Sequence, residues 1–216
     1  MAAVIHVDQQ PEPHDFDKKV RRKGLDWLRN QTFNIHGPVP KVIDIPRYWS
    51  ACLKDLYDSY GGYCAYLAVF FKLTTGGATV DHFIAKSNNV LLAYEWSNYR
   101  LSCSRMNSRK REYDDVLDPF SIEDGWFHLE LVTGHIFPNQ ELSDEIKAGV
   151  QKTIDRLKLD DGANKEMRAR HFQYYCEGKV DSEYLKKHSP FVLMEANRQH
   201  LFCAILPRFL SVAAPY

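Results

Sequence analysis

No apolar run in this 216-residue chain approaches the ~18 residues needed to cross a bilayer, so no membrane-spanning helix is expected. Neither sign of charge is in excess. The 28 Lys and Arg residues balance 28 Asp and Glu, which rules out a global basic field for gripping polyanions but leaves room for a local one. Cysteine is sparse and irregular. The five, at 52, 64, 103, 176 and 203, follow no repeating spacing, which reads as reduced thiols in a cytoplasm and not as a disulfide framework. The N-terminus, MAAVIHVDQQPEPHDFDKK, lacks the charged-then-apolar pattern of an export signal. Internal repeats and low-complexity tracts are absent too. What is present is the hydrophobic and aromatic content of an ordinary globular protein, in a chain long enough to bury a core.

Residues 1–14 are polar and proline-containing and read as a loose arm. DFDKKVRRKGLDWLRN predicts a helix up to Gly24, cationic through the five bases between Lys18 and Lys23, which read as surface or partner-binding. Prolines 38, 40 and 46 make the next segment an irregular connection. Trp49, Cys52, Leu53, Leu56, Tyr57 and Tyr60 follow the spacing of one helical face, read as core, and Gly61-Gly62 stops that helix. YCAYLAVFFKL then reads as extended, followed by a Thr-Thr-Gly-Gly turn and a short strand around Val80. GWFHLELVTGHIF alternates as a hairpin does, with Thr133-Gly134 at the bend. The remainder is helical. One stripe runs Leu142, Ile146, Val150, Ile154, Leu157; a second helix covers Met167–Glu177; a third starts at Ser189-Pro190 and runs through FVLMEANRQHLFCAIL.

The stretch TVDHFIAKSNNVLLAYEWSNYRLSCSRMNSRK, from Thr79 to Lys110, carries the chemistry. Hydrolysing a phosphodiester requires a water to lose a proton near neutral pH, and histidine titrates in that range. It also requires neutralisation of charge on phosphorus and the leaving oxygen. A hard divalent cation does this, and Mg²⁺ needs only one or two protein oxygens because it keeps its waters. Asp81 and His82 sit next to each other on a strand, so their side chains leave opposite faces. The pair becomes a site if a helix packs on the strand and adds a ligand. SRMNSRKR, with Asn107 in its first turns, is such a helix, and Asn98 precedes a second strand, YRLS.

Strand, long loop, strand, helix, with Asp-His on the first strand and Asn on the helix, resembles the HNH endonucleases of the ββα-metal, or His-Me finger, superfamily. The resemblance is tightest from Gly62 to Lys110. It implies that Asp81 and Asn107 are metal ligands, that His82 is the general base and that Asn98 holds the loop and the base in place. It also implies a Mg²⁺ or Mn²⁺ cofactor, a 5′-phosphate product and a nucleic-acid substrate, with DNA favoured over RNA. A neutral amide at 107 suits a hard ion better than zinc. Many relatives staple the motif with zinc on two Cys-x-x-Cys pairs. Here the pairs read Cys64 with Leu67 and Cys103 with Met106, so no structural zinc is expected, and the residual thiols should pack as small buried hydrophobes.

Length and layout are also similar to the HNH component of bacterial anti-phage systems such as Septu, which implies an ATPase partner, with the helical C-terminal third as its docking surface. Between Arg100 and Arg111 lie five bases and no acid. Arg100, Arg105, Arg109 and Lys110 are the candidate phosphate contacts, against the bland reading of a solvated helix face. The expected architecture is α+β: an N-terminal arm and helices over 1–60, a small ββα-metal core with its following hairpin over 61–138, and a helical region over 139–216. Several plainer readings stand beside this one. Asn98 and Asn107 also suit turns or caps, Asp118 in LDPF reads as a turn-former more than a third ligand, and His128, His135 and His171 have no partners at ligand spacing. An inactive HNH-like module that binds nucleic acid or a partner protein is the first alternative function, and a helical adaptor in which the motif is coincidence is the second.

Overall fold

In the computed structural model, which describes residues 6–75 and 77–201, three two-stranded antiparallel sheets are set among seven α-helices. The class is α+β. Residues 6–14 are not loose. Val7 N donates to Pro119 O, the Trp96 indole N–H donates to Gln10 O, and the His6 ring bonds Ile122 O, so this arm is sewn to loops distant in sequence. A turn of π-helix, Asp17–Arg21, feeds α1 (Arg22–Arg29). Its bases are largely tied internally: Lys19 pairs with Asp15, Arg22 with Asp17, and Arg21 with Glu12 and Glu95.

The helix continues through Gly24 instead of ending there. Glycine is needed at 24 for a close approach, because a Cβ would lie 2.1 Å from carbons of the Tyr94 ring. Gly24→Ala is therefore expected to lower stability by about 1–3 kcal/mol through overpacking, despite the ~1 kcal/mol by which alanine is the better helix former. An unchanged urea midpoint would contradict this.

A 3₁₀ turn, Tyr48–Cys52, leads into α2 (Leu53–Ser59), which ends where Gly61 and Gly62 take positive φ. The extended stretch that follows splits into a tight hairpin of β1 (Tyr63–Cys64) and β2 (Val69–Phe70). β3 (Ala78–His82) pairs with β4 (Tyr99–Cys103) in the register Val80↔Leu101, Asp81↔Arg100 and His82↔Tyr99, and β4 runs directly into α3 (Ser104–Lys110). β5 (Phe127–Glu130) and β6 (His135–Pro138) form the second full hairpin.

The helical region differs in detail from the sequence reading. α4 (Asp144–Leu157) starts at the Ser143 cap, so Leu142 stays outside it, and α5 (Gly162–Cys176) begins earlier than Met167 because Asp161 caps it. A helix absent from the sequence reading, α6 (Ser182–His188), is capped by Asp181. α7 (Pro190–Arg198) closes the fold and ends earlier than the sequence reading has it, since residues 199–201 leave the helix with His200 at positive φ; the remainder of that stretch, with Cys203, lies outside the described residues. No helix among the described residues is long and apolar enough to cross a membrane.

Two apolar cores result. Phe16, Val20, Trp49, Leu56, Tyr94, Tyr99 and Leu101 centre one, and Met106, Phe127, Leu129, Ile154, Leu157 and Phe191 centre the other. The β3–β4–α3 unit joins them: Val80, Tyr99 and Leu101 on the strands enter the first, and Met106 on α3 enters the second. Alternation along β4 and helical spacing along α3 thus turn one short unit into a wedge with two buried faces.

Candidate active site

The end of β3 opens into a cleft of about 690 Å³. Val80, Asp81 and His82 all line it. Successive strand residues point to opposite faces, so three in a row meet one cleft only where the strand is approached along its edge. The adjacent Asp81 and His82 thus belong to one cleft lining although their side chains leave the strand on opposite faces. The facing segment is the connection around residues 39–47, and Asn107 on α3 lines the cleft as well.

His82 is buried and its ring is clamped edge-on by Trp49 and Tyr99, at centroid distances of 4.7 and 5.1 Å. Its Nε2 lies 2.9 Å from Ala93 O, a carbonyl that also accepts the Tyr99 hydroxyl at 2.8 Å. A carbonyl only accepts, so Nε2 carries the proton and Nδ1 keeps its lone pair. Among the described residues no fully buried side-chain nitrogen or oxygen lacks a partner, and Nδ1 has none, so that edge of the ring opens to the cleft. Burial lowers the His82 pKa to about 4 against the lift from Ala93 O, and the imidazole is neutral at physiological pH.

The same burial makes stability pH-dependent. The unfolded chain protonates His82 near 6.5 while the folded chain resists until about 4, so stability is complete above 6.5 and falls as pH drops between the two values. In chelator, wild type should lose about 2–3 kcal/mol more than His82→Gln between pH 7.5 and 4.5. Parallel urea-derived curves for the two proteins would refute it.

Asp81 lies across from Arg100 on the sheet and is buried, with Oδ2 accepting the Tyr66 hydroxyl at 2.5 Å and Lys110 Nζ 3.7 Å away. Burial raises the Asp81 carboxyl and lowers the Lys110 ammonium, each opposed by the attraction of the other. Asp81 Oδ1 has no partner among the described residues. Asn107 donates its amide N–H to Thr79 Oγ1 at 3.0 Å and to Val80 O at 3.4 Å, so its Oδ1 is likewise left as an acceptor with no partner. Two hard oxygens therefore remain as acceptors without partners on residues that line one cleft with His82, and oxygen donors of this kind suit Mg²⁺ or Mn²⁺. Asn98 spans the base of the loop between the strands: Oδ1 accepts Ile84 N at 2.8 Å, and Nδ2 donates to Ile84 O and Leu92 O at 2.9 and 3.0 Å.

The four cations expected to meet phosphate are engaged inside the protein. Arg100 is buried, forks onto both oxygens of Asp118 at 2.7 and 2.6 Å, and stacks 3.5 Å over the Phe120 ring. Lys110 is fully buried and donates to His82 O and Phe83 O at 3.1 and 2.8 Å. Arg105 and Arg109 both reach Asp161 Oδ2 at 2.5 Å, and Arg109 also bonds Leu157 O. Only Arg105 keeps a half-exposed side chain. The reason is that α3 packs on α4 and on the α5 cap, so the basic face expected to meet solvent became a helix joint. Asp118 is the anchor for Arg100, and its Oδ1 also accepts Phe120 N as a turn-forming aspartate does.

At the four positions compared with zinc knuckles, Cys64 and Met106 are buried in the second core, and Leu67 and Cys103 pack against it. The two sulfurs lie 3.8 Å apart. The Cys64 thiol donating to it, with backbone N–H groups of α3, lowers Cys103 to about 6, and burial pushes Cys64 up. No group of three or more His, Cys, Asp or Glu side chains is placed to hold a metal among the described residues.

No family model matches the chain, and no curated protein matches it. Sequence reasoning missed Lys41, Arg47 and Lys86, which line the cleft together with Arg111, and treated Trp49, which walls the His82 ring, as core alone. Scattered over 70 residues of numbering with no local pattern, these cations left no signal; only Arg111 belonged to a visible basic run.

Proposed function

We propose that the protein is a metal-dependent endonuclease of the HNH, ββα-metal type, cleaving phosphodiester bonds of nucleic acid, with DNA as the favoured substrate. One observation carries the reading: Asp81 Oδ1, His82 Nδ1 and Asn107 Oδ1, three acceptors without partners, belong to residues lining a single cleft on a strand–loop–strand–helix unit. In this reading His82 Nδ1 takes the proton of the attacking water, and Ala93 O steadies the imidazolium through Nε2–H. Asp81 and Asn107 hold Mg²⁺ or Mn²⁺, which when bound supplies positive charge against the charge developing on the phosphate. Asn98 positions the loop that carries Ala93, and Lys110 ties down the backbone at His82 and Phe83. The similarity of layout brings with it a role beside an ATPase in anti-phage defence.

The test is incubation of supercoiled plasmid with purified protein and Mg²⁺ or Mn²⁺, with chelator as the control. Nicked or linear product bearing 5′-phosphate ends, lost in chelator, is expected. Inert protein with both ions, on DNA and on RNA, would overturn the nuclease reading and leave a binding module.

A further inference from the structure

The connection between α1 and the 3₁₀ turn at Tyr48 has no regular structure, yet it is held at a fixed place. Val39 N donates to Ser87 O at 2.9 Å, the Tyr94 hydroxyl donates to Pro46 O at 3.0 Å, and Ile45 is buried in the first core. Prolines at 38, 40 and 46 stiffen it further by locking φ. Such anchoring makes a wall and not a tether. It carries Lys41 and Arg47 into the lining of the cleft that holds Asp81, His82 and Asn107.

Two further cations line the same cleft, Lys86 from the loop after β3 and Arg111 just past α3. Among the described residues none of these four has a carboxylate partner or a side-chain hydrogen bond; Lys86 alone has a ring contact, 5.5 Å over Trp49. The contrast with Arg100, Arg105, Arg109 and Lys110 is sharp, since each of those has an acidic partner. Asp44 and Glu112 also line the cleft, and Glu112 accepts the Ser87 hydroxyl. Four cations outnumber the acids Asp44, Asp81 and Glu112 in this lining and none of the four is ion-paired, so a polyanion can engage them without breaking an existing pair.

We propose that the connection 39–47 is the second wall of a nucleic-acid site, on which Lys41 and Arg47, together with Lys86 and Arg111, hold the phosphates flanking the one to be cut. The identity of the ligand rests on the nuclease reading above. Contacts made by cations to phosphate carry no sequence information, so the grip is indifferent to sequence.

The experiment measures binding of a labelled DNA duplex by fluorescence anisotropy across a salt series, in chelator, using His82→Ala protein to prevent cutting. Adding Lys41→Ala and Arg47→Ala should flatten the log–log salt slope by about 2, near 0.9 for each phosphate no longer neutralised, and weaken binding equally for unrelated sequences. Removing Arg29 and Lys54, exposed cations elsewhere on the surface, should leave the slope as it was. Circular dichroism melts check that the exposed Lys41 and Arg47 changes leave the fold intact. An unchanged slope in the Lys41/Arg47 variant, or no binding by the parent protein, overturns the proposal. The two readings fail separately: a flattened slope with an inert wild type keeps the site and ends the nuclease, whereas cleavage with an unchanged slope does the reverse.

Discussion

His82→Ala should reduce phosphodiester cleavage by a factor of about 10²–10⁴, the usual contribution of a positioned general base. The expectation is tied to one edge of one ring. Nε2–H is committed to Ala93 O, so Nδ1 is the sole acceptor that the imidazole offers, and it is the edge left to the cleft. Alanine also empties the space between Trp49 and Tyr99, so a stability loss accompanies the variant. Two readouts separate the effects. Cleavage per folded molecule must fall far more than the folded fraction does, and added imidazole, free to enter the vacated space, should restore part of the rate. Retention of cleavage within a few-fold would remove His82 from the chemistry.

Lys110→Ala should cost about 3–5 kcal/mol of stability, because it takes the principal countercharge from a buried carboxylate. For a chain of this size that is a fall in Tm of about 6–20 °C. Lys110 has no exposed surface, and its ammonium is spent on Asp81 and on the two carbonyls that end β3. The sign with pH follows from Asp81. Its carboxyl is already raised by burial and rises further without Lys110, so the folded variant binds a proton that the unfolded chain does not. The stability lost therefore grows as pH rises and shrinks in acid, where Asp81 is neutral. Asp81→Asn in the Lys110→Ala background should recover much of the loss, a coupling measurable by urea unfolding of all four proteins. A variant as stable as wild type but weaker on nucleic acid would restore Lys110 to the surface role that its place in a basic run suggests.

All but one of these errors of the sequence reading share a cause. Arg100 alternates correctly on β4, and Arg105 and Arg109 share a helical face as their spacing requires, yet period alone does not say which face meets water. Asp118 and Asp161, 18 and 56 residues from Arg100 and Arg105, convert those cations into internal struts. Gly24 reads as a stop because glycine is a poor helix former, but its missing side chain answers to Tyr94, 70 residues away. The cap of α6 is different, since an aspartate at 181 ahead of a helical stretch is a local signal that the chain does display.

Local order was written in the chain: the strand, loop, strand and helix between Ala78 and Lys110, the hairpin at Thr133-Gly134, the helix start at Ser189-Pro190 and the α+β class all follow from side-chain periodicity and turn chemistry between near neighbours. Which cations stay free, which face of α3 is buried and what forms the other wall of the cleft were decided only in three dimensions. Those outcomes depend on pairs of charges and on desolvation between segments far apart in the chain, and such energies have no local spacing from which they can be read.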